Sequence, residues 1–521
     1  MAKRGRDIEY SSHSEREMEF TTSCIIFLLF SFLFSLLILV RSLTRKSNQK
    51  QLPPGPKAHF LIGNLMEIGQ NLHQSLAKLA ESYGPIMTLK LGQMTSIVIS
   101  SPSMAKEVLQ THDQVLCDRT FPDVATVYNH HKVALAWLPV CDLWRTLRKL
   151  CNNHMFSHKS LDSSYIIRHK VIQHLVADVR KSAAKGDTID IERLVFSTTL
   201  DMLSNMIFSI DLSSKYSNIH KWGQDFKETV WGIMEEAGGL NIGDFFPILK
   251  KMDLQGCRKR MMVHMNKFLD IIDEMIEKRM KEPKLGEDID MLQNFLNLAK
   301  ESEDPKFDLQ LIKHLILVLF PAGTDTTTST VEWAMAELLR NPKMLSKAKT
   351  ELKEVIGEDM EMKESDYLRL PFLQAIIKET LRLHPPAPLL LPHKAKHDTE
   401  IIGGFEIPKN AQLLVNVWKI GRDKSVWEDA DLFKPERFLG LGSKVDYKGR
   451  DFELIPFGSG RRICPGLPLA TKMVHWILGS LIHSFHWRLE DGIKPETLNM
   501  EEKVGLTLVM AHPPKAIPFN Q

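Results

Sequence analysis

The segment Pro456-Phe457-Gly458-Ser459-Gly460-Arg461-Arg462-Ile463-Cys464-Pro465-Gly466 constrains this chain more than any other stretch. Its two glycines permit a tight turn and a close approach of backbone to a flat ligand. Cys464 ends the turn, and Pro465 reads as the first residue of a helix over 465–484. A thiolate at a helix start is favoured by free N–H groups and by the macrodipole. Arg462 offers a cation to a carboxylate. A lone cysteine in a loop is ordinarily a buried structural thiol; the glycines, the arginine and the helix start argue against that here. Gly458-Ser459-Gly460 is not a dinucleotide loop, because the third glycine position holds Ile463 and no strand–helix pattern with a downstream acid follows.

Composition narrows the class. The chain has 521 residues, 43% of them apolar and 25% charged, which excludes disordered, collagen-like and small disulfide-stapled proteins. Lys+Arg 67 against Asp+Glu 64 gives a net charge of +3, so no basic excess argues for a nucleic-acid partner. The six cysteines (Cys24, Cys117, Cys141, Cys151, Cys257, Cys464) contain no C-x-x-C pair and fit reduced thiols facing a cytosol-like compartment.

Residues 21–40 carry no charge and are dominated by Phe, Leu and Ile. A helix of that length spans about 30 Å, the thickness of a hydrocarbon core. The run is long for a signal peptide, and Arg41, Arg45, Lys46 and Lys50 form a stop-transfer flank, so a retained single-pass anchor is expected. Lys3, Arg4, Arg6 and Arg16 precede it, which balances the positive-inside count; a start at Met18 would leave those cations out and put the body in the cytosol. Residues 1–20 then read as a tail, partly an upstream extension, and 41–56 as a basic hinge ending in Pro53-Pro54-Gly55-Pro56.

Beyond the hinge, helical periodicity dominates, over 72–83, 102–112, 142–156, 165–184, 192–209, 256–281, 309–340, 342–356, 371–383 and 465–484. Short β-like runs occupy 86–91, 96–100 and 412–417. The expected fold class is mainly α with small β-sheets. No other apolar run approaches membrane length, which excludes a multi-span transporter.

The segment 456–466 resembles the haem-binding signature of the cytochrome P-450 family, in which a cysteine thiolate holds the haem iron and favours O–O cleavage. Other family motifs follow in order. Trp144 and Arg148, four apart on one helix face, match W-x-x-x-R and by resemblance contact a haem propionate. His393 stands where many relatives carry Arg; the resemblance makes it a further propionate contact, pH-sensitive in principle. Glu379 and Arg382 match E-x-x-R, and Arg437 in Pro435-Glu436-Arg437-Phe438 joins that pair in a structural network expected to be buried. Ala322-Gly323-Thr324-Asp325-Thr326-Thr327 matches A-G-x-D-T-T in the helix over the haem. There Thr326 can divert a helical carbonyl to its hydroxyl, and Asp325 beside it can supply exchangeable protons. Pro321 departs from the pattern: it removes the bond to the Leu317 carbonyl and is expected to kink the helix and reshape the oxygen groove.

The resemblance, over residues 50–519, implies a P-450 fold preceded by one transmembrane helix, with 57–521 as a single haem domain. The residues it assigns are Asp325 and Thr326 as catalytic and Trp144, Arg148, His393, Phe457, Arg462 and Cys464 as haem-binding, with Cys464 the iron ligand. The cofactors implied are haem b and NADPH, the latter through a partner NADPH-cytochrome P-450 reductase, since no flavin or nicotinamide domain is visible. Cytochrome b5 is a second electron partner, and Arg145 and Lys149 are docking candidates. The runs 330–339, 416–423 and 465–470 resemble the plant microsomal terpenoid-oxidising branch, of geraniol 8-hydroxylase and abietane diterpene hydroxylase type. This implies hydroxylation of a small apolar mono- or diterpenoid by a protein held in endoplasmic-reticulum lipid with its catalytic domain cytosolic. Segments 118–135, 211–246, 314–320, 387–391 and 504–508 would face the substrate. Two other readings stay open: a reductase-independent, peroxide-rearranging haem-thiolate enzyme, and a non-catalytic haem protein that binds ligands.

Overall fold

Helical periodicity and observed helices coincide along most of the chain in the computed structural model, which describes residues 29, 31–32, 52–211, 220–284, 290–301, 308–440 and 444–520. The order is α1 (Leu72–Tyr83), β1 (Ile86–Leu91), β2 (Met94–Ile99), β3 (Asp118–Arg119), α2 (Asp142–His154), α3 (Tyr165–Lys185), β4 (Ile189–Asp190), α4 (Ile191–Phe208), α5 (His220–Gly238) and α6 (Cys257–Lys281). Then come α7 (Met291–Glu301), α8 (Leu309–Arg340), α9 (Pro342–Ile356), α10 (Pro371–Leu383), β5 (His393–Lys394), β6 (Thr399–Ile402), β7 (Phe405–Ile407), β8 (Gln412–Val415), α11 (Leu467–Ser484), β9 (His486–Leu489), β10 (Glu502–Val504), β11 (Leu508–Met510) and β12 (Lys515–Phe519), with shorter helical turns between.

Local chemistry sets the ends. The Asp308 carboxylate accepts from the Leu311 N–H at 2.8 Å and starts α8. Prolines at the first turn start α9 and α10, where a missing N–H does no harm. Two of the expected helices differ in extent, and two further helices were missed. The helix expected over 102–112 divides into an α-turn, Pro102–Lys106, and a wider π-turn, Glu107–Thr111. The last long helix begins at Leu467 with Gly466 as its cap and Pro468 in its first turn, so Pro465 lies before it. Helices α5 and α7 were not anticipated; the buried set of α5 (Phe226, Val230, Ile233, Met234) has helical spacing, but Gly223 and Gly232 dilute the pattern.

Helix α8 runs through the core. Phe320 is fully buried against Phe208 of α4, Phe226 of α5 and Phe268 of α6, with ring centroids 5.7, 4.9 and 6.0 Å away. The helix continues through Pro321 without ending there. A five-stranded sheet of order β1-β2-β8-β5-β3 closes beside this core. Its parallel pair, Ile99 opposite Val415, joins distant parts of the chain, and β3 against β5 sets Arg119 opposite His393. The hairpin β10–β11 reaches α8: Ser329 Oγ and Trp333 Nε1 both donate to the Leu508 carbonyl, at 2.6 and 3.1 Å.

Residues 53–521 form one unit. Within it the Pro54 carbonyl accepts from the Thr88 N–H at 2.8 Å, so the end of the expected hinge lies along β1. Among the described residues no helix is long and apolar enough to cross a membrane. The expected tail, span and basic flank lie outside the described residues, apart from Leu29, Ser31 and Phe32, which are helical.

Candidate active site

Pro456–Gly466 (numbers 456–466) turns back on itself, with the Cys464 N–H donating to the Phe457 carbonyl at 3.0 Å. Gly458 and Gly460 adopt φ of +71° and +65°, the left-handed region that glycine tolerates. Their tasks differ from the sequence reading. A Cβ on Gly460 would stand 1.9 Å from the Leu109 carbonyl oxygen, so its close approach is to the π-turn; only Gly458 of the two lines the cavity. Burial pushes the Cys464 thiol up, opposed by N–H groups of Gly466 and Leu467 and by the Arg148 charge. The helix-start N–H groups therefore do meet the sulfur, although the helix starts three residues beyond it.

The turn closes one side of an internal cavity of about 420 Å³. Cys464, Phe457, Arg462, Trp144, Arg148, His393 and Thr326 all line it. The Arg462 guanidinium lies over the Trp144 ring at 4.8 Å, and Arg148 at 6.0 Å. Arg462 donates Nε to the Cys117 carbonyl at 2.8 Å and a second N–H to the Leu138 carbonyl. The sequence reading missed Arg119, which the β3–β5 pairing brings to the same wall; two residues of strand carry no recognisable signal. Its Nε is buried with no hydrogen-bond partner, and burial together with the Arg462 charge lowers its pKa to about 9. Arg119, Arg148 and Arg462 have no carboxylate partner among the described residues. Such half-buried, unneutralised guanidiniums around one cavity fit a flat group that brings its own carboxylates.

His393 is 4% exposed and donates Nδ1–H to the Leu116 carbonyl at 2.9 Å. Burial, with the charges of Arg119 and Arg462, holds its pKa well below the usual histidine value. Burial first, and the two guanidiniums after it, favour the neutral ring.

On the facing wall, Thr326 Oγ1 donates to the Ala322 carbonyl at 2.8 Å, the diversion expected from the motif. Asp325 is placed differently. It does not line the cavity; its carboxylate accepts from Thr507 Oγ1 at 2.8 Å, and Thr507 lines the cavity. Successive helix residues point about 100° apart, so a cavity-facing Thr326 turns Asp325 away. Burial raises the Asp325 pKa to about 6 against the Thr507 hydrogen bond.

The remaining walls are mostly apolar. They come from all the segments expected to face substrate, including Val124, Ile233, Leu317, Leu390 and Leu506, and also from Leu203 of α4 and Met261 and Met265 of α6, which were not expected. Outside the cavity, Arg382 is bidentate to Glu379 at 2.7 and 2.7 Å, Arg437 reaches the same carboxylate at 3.0 Å, and Glu379 and Arg382 are fully buried. The Arg382 guanidinium also donates to the Ala430 carbonyl at 2.6 Å and the Leu432 carbonyl at 3.1 Å, which ties α10 to the segment that precedes the thiolate turn.

The cytochrome P450 family model matches residues 53–518. The chain is 48% identical to geraniol 8-hydroxylase of Swertia mussotii over 96% of its length and 99% of that protein. It is 49% identical to geraniol 8-hydroxylase of Catharanthus roseus over 90% and 94%, and 45% identical to drimenol monooxygenase of Persicaria hydropiper over 91% and 93%. The chain belongs to the cytochrome P450 family. It is a monooxygenase that uses O₂ and electrons supplied by a redox partner, and it takes haem with cysteine-thiolate ligation.

Proposed function

We propose that this protein hydroxylates a mono- or diterpenoid in the cavity bounded by Cys464 and Thr326. The observation that carries the reading is the composition of that one cavity: a thiol met by two backbone N–H groups, three guanidiniums without acids, and a wall that is otherwise mostly apolar. Relatives named for geraniol and drimenol support a terpenoid substrate. Haem b, held by Cys464, supplies oxygen activation when bound. Trp144, Arg148, His393, Phe457 and Arg462, with Arg119 added, are the cavity residues that would hold it. With His393 Nδ1–H committed to Leu116, the arginines carry the charge that neutralises propionates.

The chain's own groups do three things in this mechanism. Apolar walls exclude water and orient the terpenoid. The Thr326 hydroxyl, fixed on the Ala322 carbonyl, leaves a groove where a water can donate protons. Asp325 holds an exchangeable proton at its carboxylate, and the Thr507 hydroxyl bonded to it is the group through which that proton reaches the cavity edge. The balance is substrate-H, O₂, two electrons and two protons to substrate-OH and water.

Electrons come from an NADPH-dependent reductase, with cytochrome b5 as a second donor. Arg145 and Lys149 of α2 are exposed, which suits docking, although Arg145 already pairs with Asp142 at 2.6 Å. Attachment to the endoplasmic-reticulum membrane, with the catalytic domain cytosolic, is supported by the uncharged run 21–40 and by exposed apolar side chains at Phe60, Leu61, Ile248, Met252 and Leu254. Product analysis of microsomes that co-express the reductase and are fed a panel of mono- and diterpenoids tests the function. Hydroxylated products that require NADPH support it. Turnover of peroxides without reductase, or a carbon-monoxide complex with the spectrum of a histidine-ligated haem, would overturn it.

A further inference from the structure

His130 lines the cavity, yet it is 9% exposed and sits among apolar side chains. Its Nδ1 lies 2.9 Å from Nδ1 of His314 on α8, with the ring centroids 5.1 Å apart. His314 is 6% exposed. His130 lines the cavity and His314 does not, so His130 is the member of the pair that meets a ligand. Neither Nε2 has a hydrogen-bond partner among the described residues. The backbone is also unusual here. Tyr128 and Asn129, both exposed, take φ of 49° and 54° immediately before the buried His130. The left-handed region is one that Asn tolerates and Tyr rarely adopts. The carbonyl of His130 then accepts from the N–H groups of Val133 and Ala134, which locks the turn. A turn held against local preference delivers one imidazole to an apolar cavity.

We propose that the His130–His314 pair is a hydroxyl-recognition site, which takes an alcohol group on the terpenoid through Nε2 of His130. This rests on the terpenoid reading of the cavity and narrows it to oxygenated substrates. Burial and the neighbouring His314 and His131 push the His130 pKa down to about 3, so the ring is neutral at working pH and suits a neutral group over an anion. An Nδ1–Nδ1 contact needs one proton between the two nitrogens. If His314 supplies it, His130 presents Nε2–H as a donor; if His130 supplies it, its Nε2 is an acceptor. A hydroxyl satisfies either tautomer, whereas an ether or ketone satisfies only one and a hydrocarbon neither.

The test uses the full chain in membranes with reductase, and reads both ferric-haem spin-state titrations and products for geraniol, geranyl methyl ether and myrcene. Wild type is expected to bind geraniol more tightly than myrcene. His130→Phe should weaken geraniol binding relative to myrcene binding by about threefold to tenfold, the value of one neutral hydrogen bond. His314→Gln, whose amide can still meet Nδ1, should retain most of the geraniol affinity. Equal losses for geraniol and myrcene, or none for either, would overturn the proposal. Should His130→Phe fail to give a thiolate-type carbon-monoxide spectrum, the wild-type comparison decides, and geraniol no tighter than myrcene overturns it. Wild type that neither binds nor oxidises any of the three overturns this proposal, and the terpenoid reading falls with it when the wider panel of mono- and diterpenoids gives no product either.

Discussion

Thr507 Oγ1 donates to the Asp325 carboxylate at 2.8 Å and couples the turn between β10 and β11 to the helix that carries Thr326. The acid of the A-G-x-D-T-T motif therefore meets the cavity through a residue 182 positions away in the chain. Removing that donor by Thr507→Val leaves the buried carboxylate without its one hydroxyl partner. Since the hydrogen bond lowers the Asp325 pKa and burial raises it, the group should titrate above its present value of about 6. Because Asp325 acts in its protonated form, the expected outcome is an upward shift of the descending limb of the pH profile of product formation near pH 6, with looser coupling between NADPH consumed and product formed. An unchanged profile and coupling would detach Thr507 from proton delivery.

Asp325→Asn separates stability from turnover. The folded pKa of about 6 lies above the ordinary 3.8, so the folded state holds this proton more tightly than the unfolded chain does. Its contribution to stability is full below pH 3.8 and is lost as pH rises through 6. At neutral pH the ionised carboxylate is then unfavourable by about 2–3 kcal/mol, and an uncharged amide that still accepts from Thr507 relieves this. Denaturation at pH 7.5 should show the variant at least as stable as wild type, with the difference vanishing near pH 4, while turnover falls by about tenfold to a hundredfold.

The buried Glu379–Arg382–Arg437 network should be costly to break. Glu379→Ala strands two guanidiniums, one of them with no exposure, and should destabilise by roughly 3–5 kcal/mol and prevent haem retention. The half-exposed pair of Lys347 with Glu436, at 2.7 Å, is the control: its removal should change stability by no more than about 1 kcal/mol. Denaturant midpoints and the yield of the carbon-monoxide complex measure both.

Pro321 lines the cavity one position before Ala322 and Gly323, and gives the Leu317 carbonyl no partner. Pro321→Ala restores the helical hydrogen bond and should stabilise the helix by up to about 3 kcal/mol. Because Leu317 also faces the cavity, product ratios or the fraction of NADPH coupled to product should change with it. Unchanged ratios and coupling would make Pro321 a tolerated feature of the helix only.

What was legible in the sequence is what neighbours in sequence decide. Trp144 and Arg148 share a face because they are four apart, Glu379 and Arg382 because they are three apart, and Cys464 meets N–H groups of the two residues that begin the next helix. The ends of α8, α9 and α10 were readable because caps and prolines act within one turn. Even locally, the reading strayed where rotation about the helix matters: Asp325 and Thr326 are adjacent in the motif but face different surroundings.

Only the tertiary structure decided which distant groups meet. Arg119 reaches the cavity because β3 pairs with β5 across the chain, and His130 finds His314 across 184 residues. Those encounters depend on how every intervening turn sums in space, and a two-residue strand or a single histidine carries no periodicity that could announce them. The motifs thus determined the chemistry available to this protein, a thiolate beside cations and an acid–alcohol pair. The packing of β3, the turn ending at His130 and the β10–β11 hairpin determined which other groups surround that chemistry, because a buried polar atom takes whichever partner the fold brings within hydrogen-bond distance.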